Sequence, residues 1–358
     1  MYLLIVISFT KSAQVPFSRW LPAAMLAPTP VSALVHSSTL VTAGVYLLFR
    51  FCPLYSSLLI NVGIFTTLIA GLSAALECDT KKIIALSTLR QLGLIVTSLG
   101  LGSRCLCFAH LNTHAAFKAL LFLAIGSFIH SMYGSQESRS VVLLHSNAPL
   151  ILVVLVSASI SMCGLVFLSG WVTKEAILES RFNSVVNLIT LLLFYLGIGL
   201  TLVYSTRLAF IFSVSSGHAT NLSSIFSCSL ANKAPLYWLL RLSVIQGYFL
   251  DLNCFIPPSL LTYEDKFVVW GVLLSSIGLG LCLSKRVGIV SSPMIYLCLT
   301  SSLMSNLSVA VTPIHFTEVS ALQGGGLAGW SSLVKGFSLG TLFLSPLTIG
   351  LLLCFVLL

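Results

Sequence analysis

Residues 51–76, 140–173, 182–206, 267–284 and 336–358 contain no Asp, Glu, Lys or Arg. Each run reaches or approaches the length an α-helix needs to cross a hydrocarbon core about 30 Å thick. A chain with several such runs has few ways to fold. Lipid offers the backbone no hydrogen-bond partner, so only helices or closed barrels satisfy it internally. A barrel needs repeated short alternating strands, and none is legible here. The fold class is therefore all-α, a polytopic transmembrane helix bundle. Composition agrees, with 57% hydrophobic and only 8% charged residues, where a soluble domain carries about a quarter charged.

The eighteen Lys and Arg give a formal charge of +9, but they are scattered singly along the chain, which argues against a nucleic-acid partner. The ten cysteines form no Cys-x-x-Cys pair and lie mostly in apolar runs. They read as small lipid- or core-facing residues and supply no iron–sulfur or zinc pattern. About ten spans can be drawn at helical length, over 1–25, 31–50, 56–77, 82–101, 104–131, 148–180, 184–213, 232–251, 265–284 and 338–358. Between the last two, 291–308 is apolar, and Pro313 and Gly324, Gly325 and Gly326 interrupt the residues after it. That segment is either an extra short span or an element lying along the membrane plane.

The densest polar information sits in 11–50. Lys11 follows ten uncharged residues, which as helix reach roughly half of the ~30 Å core. An ammonium there is costly unless paired or hydrated, and an intramembrane lysine is a functional-site candidate for that reason. Gln14, Pro16, Arg19, Trp20, Pro22, Pro28 and Pro30 come next, so the helix must break or turn. Irregular backbone at membrane depth is tolerated where protein buries it or water lines it, as along an ion path. His36 comes later, within Val35-His36-Ser37-Ser38-Thr39, whose hydroxyls can hold a short water chain. A prolyl interfacial loop with a snorkelling lysine is the plainer alternative.

Three more clusters stand out. His110, His114 and Lys118 recur at i, i+4 and i+8 and share one helix face. Imidazole titrates near neutral pH, so such a row can pass protons. His-x-x-x-His can also bind a metal, but no acidic or thiol partner lies one turn away and Lys118 would repel a cation. Asp79, Lys81 and Lys82 open the span at 82–101, where they are either helix-end charges or members of the same path. Lys174 and Glu175 end the long uncharged run 140–173, and the nearby Gly170 can loosen the helix to expose them to a half-channel.

Lys11-Ser-Ala-Gln-Val-Pro-Phe-Ser-Arg-Trp-Leu-Pro, then Ala-Pro-Thr-Pro-Val-Ser-Ala-Leu-Val-His36-Ser-Ser-Thr, resembles the chain 5 family of the proton-pumping NADH:ubiquinone oxidoreductases, respiratory complex I. The large subunits of multisubunit sodium/proton antiporters share this pattern more loosely. Two further segments fit the family: Asp79-Thr-Lys81-Lys82 leading into Ser-Thr-Leu-Arg-Gln-Leu-Gly, and Trp171-Val-Thr-Lys174-Glu175. The second carries Trp and Glu where the family has Phe or Tyr and Asp. The resemblance implies a gating role for Lys11, a central one for Lys118 and an exit role for Lys174 with Glu175. His110, His114 and Lys82 would link them, with His36 a polar partner near the break. It also implies a division into an antiporter-like transmembrane bundle over 1–284, a lateral helical arm over 285–337 and a C-terminal anchor helix over 338–358.

The family's chain begins with further helices that carry a glutamate partner for the gating lysine, and no candidate for it precedes Lys11. Those helices belong to a separate polypeptide, which is the expectation, or have been lost, or are missing because the sequence is partial. The other implied partners are the neighbouring antiporter-like subunits of the membrane arm, and lipids. The chain itself should hold no redox site and no metal, with FMN, iron–sulfur clusters, NADH and ubiquinone in other subunits. The implied location is the mitochondrial inner membrane, with a bacterial plasma membrane as the alternative. Two other functions stay open: a sodium/proton antiporter subunit, and a structural anchor of complex I that no longer pumps. No His-Glu-x-x-His or Gly-x-Ser-x-Gly suggests a membrane hydrolase.

Overall fold

The computed structural model describes residues 2–51, 56–131, 134, 136–138, 149–164, 168–182, 188–214, 230–252 and 263–285. The chain divides into two units, Met1–Pro293 and Met294–Leu358, and every described residue lies in the first. The expected anchor helix at 338–358, and all of the expected arm at 285–337 except Lys285, lie outside the described residues.

The chain breaks where the prolines predict. Helix α1 (Tyr2–Lys11) stops at the lysine, and the backbone passes through Ala13 at φ 55°. It continues as α2 (Trp20–Ala23), a 3-10 turn (Ala24–Leu26) and α3 (Thr29–Val31). Then come a π-helix (Ser32–Thr39) and α4 (Leu40–Phe51). A helix end in lipid must satisfy its last carbonyls internally, and this one does. The Ser12 amide donates to Ser8 O (2.8 Å) and the Gln14 amide to Phe9 O (3.0 Å), while the Trp20 indole donates to Thr10 O (3.1 Å).

Eight longer helices complete the described chain: α5 (Ser57–Leu76), α6 (Thr80–Gly100), α7 (Arg104–Ser131), α8 (Pro149–Cys163), α9 (Ser169–Phe182), α10 (Leu188–Val214), α11 (Leu230–Leu252) and α12 (Tyr263–Lys285). Among the described residues, five elements are long and apolar enough to cross a membrane: Thr29–Phe51, Ser57–Leu76, Thr80–Gly100, Arg104–His130 and Ile189–Ser213. Tyr2–Lys11, Leu150–Cys163 and Val268–Ser284 are shorter apolar helices. No β-strand forms among the described residues, where Asp79 and Glu137 make an isolated bridge.

Helix α6 is the axis of the bundle. Every side chain in 83–100 is buried, as expected of a helix surrounded by other helices. It meets α5 at paired glycines, Gly63 and Gly93; a Cβ at either would lie 2.8 Å from the other's carbonyl oxygen. Small residues let backbones approach this closely, which is how helices pack where lipid removes the hydrophobic drive. Around this pair, α7 packs on α6, α8 and the π-helix, α10 on α5, α8 and α12, and α11 on α7 and α9. Leu3, Val153, Leu196, Trp238 and Leu274 remain exposed on the outside, an apolar surface suited to lipid or neighbouring helices.

One expected span differs. Within the expected span 148–180 the described residues form two helices, α8 and α9; α8 ends because Gly164 turns to φ 73° and its amide closes on Ile160 O and Ser161 O, both at 3.2 Å. This is the left-handed glycine cap that ends many helices. Gly170 then lets α9 start against the carbonyl of Ser161, where no side chain would fit.

Candidate functional site

Three helices bring the predicted groups together. His110, His114 and Lys118 lie on the buried face of α7, each 0% exposed. His110 Nδ1 is 3.0 Å from Thr173 Oγ1 on α9, and its Nε2 is 3.2 Å from Gln91 Oε1 on α6. Neutral His110 donates from Nε2 to Gln91 and accepts at Nδ1 from the Thr173 hydroxyl. Protonated, it donates at both ends as the hydroxyl turns, so neither state loses a partner.

One turn along α7, His114 has two buried ring nitrogens without a hydrogen-bond partner among the described residues, and Phe117 stands edge-on to it with centroids 5.5 Å apart. Buried polar atoms of this kind are ordinarily bonded to ordered water. A further turn on, the Lys118 ammonium donates to the Ser87 hydroxyl of α6, which itself donates to Ile84 O (2.7 Å).

Lys174 enters from α9. Its ammonium donates to Met162 O, a carbonyl in the last turn of α8 left free by the break at Gly164. A lysine at a helix C-terminus also meets the negative end of the helix dipole. Thr173, His110, His114 and Lys118 form the row, with Gln91 and Ser87 holding it from α6, and Lys174 is buried on α9 next in sequence to Thr173. Glu175, next along α9, is half-buried.

Other predicted residues lie apart from the row. Lys82 forms a half-buried pair with Asp79 at 2.6 Å. Its neighbour Lys81 turns inward instead, 6% exposed, and donates to Ala27 O of the broken segment (3.3 Å). Lys11 is exposed at the end of α1. His36, on the π-helix, is half-buried with Nδ1 unpartnered among the described residues, and its ring meets Trp20 edge-on at 6.3 Å. The π-helix packs against α7, which places the break beside the helix that carries the row. Among the described residues no three His, Cys, Asp or Glu come together as a metal-ligand set.

Sequence reasoning quoted Ser87, Arg90, Gln91 and Thr173 within matching segments but gave them no role. Arg90 is 0% exposed and donates from both Nε (3.0 Å) and Nη2 to Gly197 O on α10. Its signal was present, a charged and an amide side chain side by side inside an apolar span.

Residues 1–201 match the family described as NADH:quinone oxidoreductase/Mrp antiporter, transmembrane. The chain belongs to this family. NADH-ubiquinone oxidoreductase chain 5 of Lumbricus terrestris is 47% identical over 250 residues, 68% of this chain and 43% of that one. The protein of the same name from Anopheles gambiae is 44% identical over 264 residues, covering 72% and 46%. This chain thus spans about half the length of the curated relatives it matches. Among solved structures, a chain of the Mrp complex from Dietzia sp. DQ12-45-1b superposes with a TM-score of 0.65 over 90% of this chain and 40% of its own, at 23% identity. That is a likeness of fold.

Proposed function

We propose that this chain translocates protons as part of the membrane arm of an NADH:ubiquinone oxidoreductase in the mitochondrial inner membrane. The observation that carries this reading is the buried row from Thr173 to Lys118, in which hydroxyl, amide, imidazole and ammonium groups of three helices stand together. His110 accepts a proton without losing a hydrogen bond. His114 hands it on through water, and Lys118 holds it against Ser87. Lys174 and Glu175 serve the exit side, and Lys11 with His36 the gate at the broken helix, while Lys82 acts only at the rim.

Electron transfer from NADH to ubiquinone occurs in other subunits, which hold the FMN and iron–sulfur clusters, and its input moves charge along the row. Lys11 faces outward on a helix suited to lipid, where an isolated ammonium is costly. Further membrane helices, bearing a carboxylate toward Lys11, cover that face.

The likeness to the Mrp fold supports a second reading, sodium/proton exchange. Against it, the Gln91 and Ser87 oxygens of the row already accept from His110 and Lys118, and a sodium ion needs several oxygens of its own. Native isolation of the assembly, with assays of NADH oxidation and of sodium-driven proton exchange, tests the choice. NADH oxidation with quinone in a large membrane complex is expected. Sodium-dependent exchange in an assembly without NADH oxidation would overturn the proposal in favour of the second reading.

A further inference from the structure

Arg90 takes part in no step of the relay, yet the bundle is built to hold it. Two of its nitrogens share the Gly197 carbonyl, and Nη1 has no partner among the described residues. Its stem passes Gly71 of α5, where a Cβ would stand 3.6 Å from Arg90 Cδ. Lys118 bonds Ser87, one turn before Arg90 on the same helix, and His110 bonds Gln91, the next residue. Arg90 therefore sits on α6 between the two side chains that anchor the row, with its guanidinium bonded to α10.

An arginine keeps its proton at any working pH, so this charge is permanent. The titratable groups that act on it and on the row are His110, His114 and Lys118 from α7, Cys163 from α8, Lys174 from α9 and Tyr204 from α10. Helix α5, the closest neighbour of α6, contributes no titratable side chain between Ser57 and Leu76. Glu175, beside Lys174, and the buried Glu179 add two carboxylates on α9.

We propose that Arg90 is a fixed positive charge that limits how many protons the row holds at once and so sets the pH range over which it conducts. Two positive charges a helical turn or two apart in a protein interior oppose each other enough to move such a range by roughly one pH unit. Arg90 is not a proton carrier; it acts through Lys118 and His110. The proposal rests on the relay reading above.

The test is NADH-driven proton translocation against pH in membrane vesicles carrying the intact assembly. Arg90→Gln removes the charge, leaves the row holding more protons, and should move the active range about one pH unit toward alkaline values. Arg90→Lys keeps the charge and should retain the original range. An unmoved profile in Arg90→Gln, or the same displacement in both variants, overturns the proposal. If Arg90→Gln does not assemble, Arg90→Met removes the charge while keeping an apolar stem suited to the span and should move the range the same way; an unmoved profile there overturns it equally. Lys118→Met separates the two levels: translocation unchanged in that variant refutes the relay itself, and the role of Arg90 with it.

Discussion

His110 is bonded at both ring nitrogens, so each partner can be removed singly. Thr173→Val keeps the shape and deletes the hydroxyl, leaving a buried Nδ1 unpaired. The expected result is a stability loss of about 1 kcal/mol in thermal denaturation of the assembly and slower proton translocation, whereas Thr173→Ser stays close to wild type. Equal rates in the two variants would show that the hydroxyl takes no part. Lys81 and Lys82 show what sequence leaves open at this scale. Consecutive helical positions point about 100° apart, so one lysine turned inward and the other paired with Asp79, and only the packing of α6 decided which.

At the scale of elements, the glycine contact between α5 and α6 sets the spacing of the relay. Gly93→Val would place methyl groups against Thr66, Thr67 and Gly63 O, and overpacking of that sort typically costs about 1–3 kcal/mol. The variant should lower the thermal stability of the assembly and widen the distance from α6 to α7, with loss of translocation; normal stability would mean the helices do not meet there. The row's own face was legible because the i, i+4, i+8 spacing of His110, His114 and Lys118 has one geometric meaning. The break after Lys11 was legible from its prolines. The break inside 148–180 was missed because Gly164 sits in an uninterrupted apolar run, and a glycine shows its left-handed turn only once neighbouring helices require it. The partners of the row were illegible for another reason: Ser87, Gln91 and Thr173 are common residues whose function depends on which helix they face.

For the whole molecule, the exposed end of α1 is the feature a lone bundle does not explain. In the intact assembly, Lys11→Cys should be protected from a membrane-permeant maleimide by covering helices; labelling as fast as a lipid-facing cysteine would argue against that cover. The most direct measurement of the central claim is the number of protons translocated per NADH oxidised in assemblies carrying Lys118→Met. Removal of the ammonium that Ser87 holds should lower that ratio while the complex remains assembled and NADH is still oxidised. An unchanged ratio in a fully assembled complex would contradict a proton path through this row and leave the chain a structural part of the membrane arm.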